Sequence, residues 1–160
     1  MEAVTALAAE LEHSALGAWA RGSPIGYPLA NLIHLLGLVM LIGGIGVLDL
    51  RLAGAFRRLP VEALWRYLLP MGVAGLVLLV PAGLVMFAAD ASSLVVSTVF
   101  RWKVALIVLA LANAGAYHLL WRRRLAHWDI DPPLGGRVMA VGSLTLWLLI
   151  AALGRWIAYA

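Results

Sequence analysis

An all-α integral membrane fold, a four-helix bundle with an N-terminal interfacial amphipathic helix, is what the sequence predicts, and three observations predict it. Of the 160 residues 64% are hydrophobic and only 12% charged, whereas a water-soluble domain carries about 25% charged residues to cover its surface. Mean hydropathy is +0.96. The apolar residues fall in four separate runs of roughly twenty, the length a helix rising about 1.5 Å per residue needs to cross a hydrocarbon core of about 30 Å. Residues 1–160 fit a single membrane domain.

Residues 2–20 place Val4, Leu7, Ala8, Leu11, Ala15 and Trp19 at helical spacing, with Glu2, Thr5, Glu12 and His13 on the other side. This predicts one amphipathic helix lying in the interface. A secretory signal has a basic start and an uninterrupted apolar core; here no Lys or Arg precedes Arg21, and Glu2, Glu10 and Glu12 intervene, so the segment is expected to be retained. Ser23-Pro24-Ile25-Gly26-Tyr27-Pro28 supplies a turn, with Pro28 suited to the first turn of the next helix.

The first span is read at about residues 29–50, interrupted by Asn31, His34 and Asp49. The second, about 67–89, has no ionisable side chain in its apolar stretch, and Pro70 and Pro81 each remove a backbone donor and are expected to bend it. The third is read at about 104–120, with Asn113 and His118, and the fourth at about 138–154, with Ser143 and Thr145. Pro132-Pro133 and Gly135-Gly136 mark the turn between these two.

Basic loops are retained in the cytoplasm, so Lys and Arg counts set orientation. One side has Arg51, Arg57, Arg58, Arg66, Arg122, Arg123, Arg124 and Arg137; the other has Arg21, Arg101, Lys103 and Arg155, a division of 8 against 4 among the 12. The expectation is a multi-pass protein of a bacterial inner (plasma) membrane, with both termini outside. Trp65, Tyr67, Trp121 and Trp128 on the inner side, and Trp19, Tyr27, Trp102 and Trp156 on the outer, read as two anchoring belts. A pI near 10.1 therefore reflects topology and lipid contact rather than nucleic-acid binding.

The absence of cysteine excludes a disulfide framework, a thiolate zinc cage, an iron–sulfur cluster and a covalently attached c-type haem. Pairs of intramembrane carboxylates, nucleotide-type phosphate loops and methionine runs for copper are also missing. The polar exceptions within the spans carry what chemistry there is. His34, Gly37 and Gly44 share a helix face at offsets of three and seven. Such a glycine strip admits either a neighbouring helix or a flat macrocycle, with the imidazole bound to the iron of a porphyrin. His118 lies near the inner boundary, roughly 16 Å deeper than His34 at about 1.5 Å per residue, so the pair does not fit as two axial ligands of one haem. Met86, His13 or no residue completes a site on His34, and His118 is a weaker candidate for a separate metal site. Arg101 and Lys103 start the third span on the side of His34 and can pair with haem propionates or with lipid head groups. Asp49 is a candidate ion-pair partner for Arg51, Arg122 or Arg123.

The series His34-x2-Gly37, Gly44, Asp49-Leu50-Arg51-Leu52, Leu69-Pro70, Ala74-Gly75, Pro81-x-Gly83, Phe100-Arg101-x-Lys103 and Asn113, after the pair Tyr27-Pro28, resembles an uncharacterised family of bacterial four-to-five-helix membrane proteins over about residues 10–125. More distantly, a first-helix His-x2-Gly, a Pro/Gly-bearing second helix and a Lys opening the third resemble the haem-dependent protoporphyrinogen oxidases and the membrane domain of copper-resistance D proteins. The oxidase resemblance implies a b-type haem on His34 and an electrostatic role for Lys103. Further polar residues of the oxidases have no match here, so substrate oxidation does not carry over; copper import does not either, since one histidine alone stands at that depth. The expected function is a haem b-binding membrane protein with a redox or electron-transfer role, the haem in the outer half on His34, with Gly37 and Gly44 beneath the ring and Arg101 and Lys103 at the propionates. A non-catalytic membrane subunit or scaffold and a small-solute or metal-ion transporter are the alternatives; the expected partners are the lipid bilayer and a second copy of the chain or a membrane redox partner.

Overall fold

The computed structural model describes residues 2–159. Among them there are helices and turns but no strand. Two short helices, α1 (Glu2–His13) and α2 (Ala15–Gly22), precede a first span assembled from α3 (Gly26–Leu41), a π turn (Ile42–Gly46) and α4 (Val47–Ala53). The second span is α5 (Val61–Ala89), followed by a short linking helix α6 (Ala91–Val96). The third is α7 (Thr98–Trp121), which continues into a 3₁₀ turn (Arg122–His127), and the fourth is α8 (Leu134–Trp156). Four helices are long and apolar enough to cross a membrane: Gly26–Ala53, Val61–Ala89, Thr98–His127 and Leu134–Trp156. Each extends beyond the apolar run read from the sequence, because polar residues can continue a helix into the interface while its backbone hydrogen bonds remain satisfied.

The first two spans run antiparallel at backbone contact. A methyl group added to Gly37 would sit 2.7 Å from the Gly75 carbonyl oxygen, and one added to Gly44 would sit 2.7 Å from both Gly72 N and the Leu68 oxygen. Residue numbers rise on one helix as they fall on the other. Only glycine allows this approach, which replaces side-chain interdigitation by dispersion along two close backbones. The fourth span packs on the first near Gly46 and Leu144, and the third packs on the fourth, where the Asn113 amide donates to the Met139 carbonyl at 3.2 Å. Aromatic stacks bring the second and third spans together near both ends: Trp65 on Tyr117 (6.0 Å between centroids) and Phe87 on Phe100 (5.2 Å).

Outward-facing positions such as Leu32, Val39, Val77, Val108 and Leu119 are apolar and exposed. In water such a surface would drive association; it suits contact with lipid chains, and the chain is a membrane protein by this reading. Tyr67, Trp102 and Trp156 are likewise exposed near helix ends, as interfacial anchors are.

Three local expectations are corrected. The N-terminal amphipathic segment is two helices, because Ser14 interrupts it: its hydroxyl donates to the Leu11 carbonyl at 2.6 Å and accepts from Gly17 N at 3.3 Å, capping the start of α2. Trp128 is core rather than belt, with its indole N–H on the Leu52 carbonyl at 3.3 Å, in a cluster with Leu48, Leu52, Val61, Tyr117 and Leu125. Arg51 pairs with Asp129, not Asp49, at 2.6 Å. The same guanidinium donates to the Leu59 carbonyl at 2.7 Å and the Arg57 carbonyl at 3.3 Å, while Asp129 accepts from Val61 N at 3.3 Å. One buried arginine thus ties together the first loop, the start of the second span and the loop between spans three and four.

Candidate functional site

The first span presents His34 to the second at the level of Leu79 and Gly83. Nδ1 lies 3.1 Å from the Leu79 carbonyl oxygen, and because a carbonyl only accepts, Nδ1 carries the proton. In the neutral ring Nε2 is then left with its lone pair. A hydrogen bond from the distal ring nitrogen to a carbonyl is how proteins fix the tautomer and orientation of an imidazole ligand. Gly83 makes room for the ring: a methyl group there would lie 3.3 Å from His34 Cε1. Leu79, Gly83 and Met86 follow at offsets of four and seven, so Met86 belongs to the face of the second span that His34 meets.

Lys103 enters the same region from the third span. It is half-buried against the fourth, with Nζ 3.3 Å from where a Gly154 Cβ would stand, and it lies within electrostatic range of His34. Among the described residues it makes no hydrogen bond or ion pair with any side chain. Arg101, two residues earlier, is directed elsewhere, since residues two apart do not share a helix face. It is exposed, and its guanidinium donates to the Val96 carbonyl at 3.3 Å and to Thr98 Oγ1 at 3.4 Å.

Of the residues named from the sequence, His34 and Lys103 therefore lie within electrostatic range of each other and Arg101 stays outside. Gly37 and Gly44 lie against the backbone of the second span, so the face beside His34 is filled by a helix rather than open to a planar ring. His118 stacks on Trp65, 6.3 Å between centroids. Trp65 and Leu79 are fourteen positions apart on one helix, about 21 Å at 1.5 Å per residue, so the two histidines occupy separate levels. His13 is exposed, with Nδ1 2.7 Å from the Ala9 carbonyl.

The N-terminal helices close the end of the bundle nearest His34. Glu12 accepts from Ser92 N at 2.8 Å, and Arg21 donates to the carbonyls of Ala89 (3.1 Å) and Glu12 (2.6 Å). Bonds from the Ser92 hydroxyl and N–H, with Arg21 nearby, hold the Glu12 carboxyl below its ordinary value.

Sequence reasoning missed a second polar group at the arginine-rich end, formed by Asp49, Tyr117 and Ser143. It lies across three spans, and a π turn separates Asp49 from the face that His34 marks. The wider turn shifts the phase of every later residue, and no residue pattern announced it.

Comparison with known proteins gives one result. Residues 12–160 match a family described as "Family of unknown function (DUF6644)". No curated protein and no solved structure matches the chain, so the distant likeness to oxidases and copper-resistance proteins rests on the short motifs alone.

Proposed function

As the chain belongs to the DUF6644 family, whose function is unknown, we propose from its own residues that it is a haem b-binding integral membrane protein with a redox or electron-transfer role. The observation that carries the reading is the imidazole of His34, whose Nδ1–H is held by the Leu79 carbonyl so that Nε2 is the free nitrogen. Haem b, when bound, supplies one-electron chemistry at iron. His34, oriented by the second span, would hold the haem iron through Nε2. Lys103, a cation without a partner among the described residues, would supply charge for a propionate, and such a charge-assisted bond is about twice as strong as a neutral one. Met86 would be the further residue to hold the iron. Gly37 and Gly44 have no place beneath the ring in this scheme, because the second span covers them; Arg101 serves the head-group region.

The test is an absorption spectrum of the protein purified in detergent after expression with ample haem. A Soret band that survives washing, disappears in His34→Ala and weakens in Lys103→Met supports the proposal. A colourless wild-type preparation refutes it and leaves the subunit or transporter readings, which co-purifying proteins or solute flux in liposomes would separate.

A further inference from the structure

At the arginine-rich end, three polar side chains from three spans converge in the interior. Asp49 from the first span is 6% exposed, Tyr117 from the third 6%, and Ser143 from the fourth 5%. Asp49 Oδ2 and the Tyr117 hydroxyl are both buried without a hydrogen-bond partner. They are close enough for the carboxylate charge to act on the phenol, and Ser143 lies beside the same carboxyl. Two orphaned polar atoms in one buried group are rare in native proteins, and each is destabilising unless a further species satisfies it.

No fixed cation fills that role. Arg51, two residues along the first span, is committed to Asp129 and to the Leu59 carbonyl. Arg137 of the fourth span donates to the Ala53 carbonyl at 3.1 Å. His118 of the third stacks on Trp65, and Glu62 and Arg66 of the second are exposed. Among the described residues no three His, Asp or Glu side chains gather anywhere. Asp49 thus brings a single formal charge with neutral hydroxyls around it, a set that one proton balances and a multivalent metal does not. An ionisable residue inside a span marks a proton or ion pathway by default, and π turns recur at functional positions; the one in this span ends at Gly46, three residues before Asp49.

We propose that Asp49, Tyr117 and Ser143 form a proton-binding site in the arginine-rich half of the bundle, with Asp49 as the group that takes up and releases the proton. On uptake, a proton from water at that end adds to a carboxylate oxygen; the resulting O–H donates to the Tyr117 oxygen, while Ser143 donates to the second carboxyl oxygen. On release the proton returns to water and the Tyr117 O–H turns to the carboxylate. No electron transfer is involved. The site is independent of haem on His34, which belongs to the other end of the first span.

Infrared difference spectroscopy of the full-length protein in lipid tests it, titrated from about pH 4 to about pH 9, the range over which buried carboxyls titrate. The expected result is a protonated-carboxyl C=O band that rises on acidification, is lost in Asp49→Asn and is shifted in Tyr117→Phe, which keeps the ring and removes the hydroxyl. Absence of any band dependent on Asp49 over that range overturns the proposal. So does a band abolished by sodium at constant pH, which would assign the site to a metal cation, or one unmoved in Tyr117→Phe.

Discussion

Replacing Gly75 by alanine tests how the first two spans are held together. A Cβ at Gly75 would lie 2.6 Å from the Gly37 carbonyl oxygen and 2.6 Å from Leu41 N. Both are backbone atoms, so no flexible side chain can turn aside. Ordinary contact begins at 3.4 Å, and the helices must therefore part by about 0.8 Å along a seam that also includes Gly44 and Gly72. Overpacking of this kind costs about 1–3 kcal/mol, and the backbone contact puts Gly75→Ala near the upper end, about 2–3 kcal/mol. Gly115 and Gly142 are the controls, since an added methyl group at either would meet nothing within 4 Å. There alanine should be neutral or stabilising by up to about 1 kcal/mol through helix propensity. Unfolding in a denaturing detergent, followed by tryptophan fluorescence, should place Gly75→Ala well below wild type and both controls at or above it. Equal midpoints for Gly75→Ala and Gly115→Ala would refute the close-backbone seam.

Three further outcomes follow from the ends of the bundle. Trp128→Ala, at a side chain only 1% exposed, should cost about 3–5 kcal/mol in the same assay, whereas Trp102→Ala, 62% exposed, should leave the midpoint nearly unchanged. Asp129→Ala removes the partner of buried Arg51 and an acceptor for Val61 N; because the aspartate is itself 44% exposed, the loss should be about 2 kcal/mol, less than for a fully buried pair, with partial rescue in Asp129→Asn. The Glu12 carboxyl is held below 4.5 in the folded chain, so its contribution is fully present above that value and is lost as pH falls through the folded one. Amide exchange in α1 and α6 should accelerate below about pH 4.5, and Glu12→Gln should show that faster exchange already at neutral pH.

The sequence made the spans legible because membrane insertion is governed by a sum over some twenty side chains, which composition records directly. His34 stood out for the complementary reason, as an ionisable exception in an apolar run. Long-range pairing was not legible. Arg51 finds Asp129 across 78 positions, and nothing near Arg51 distinguishes that partner from the adjacent Asp49. Trp128 sits at a span boundary where tryptophan is ordinarily an anchor, and its enclosure shows only in contacts distant in sequence, with the Leu52 carbonyl and Val61. The glycine strip was visible, but its ambiguity between helix and macrocycle was resolved only by Gly72 and Gly75 opposite it. Asp49 was visible as an interruption of the first span, but its grouping with Tyr117 and Ser143 was not, because the π turn breaks the periodicity on which face assignments depend.

The proposed binding of haem to His34 is tested by the haem-to-protein ratio, measured by the pyridine haemochrome method. About one haem per chain is expected in wild type and in Asp49→Asn, with loss of most of it in His34→Ala while that variant still unfolds cooperatively, close to the midpoint of wild type stripped of haem. An equal ratio in His34→Ala and wild type, or no haem in either, would rule out His34 as the haem ligand.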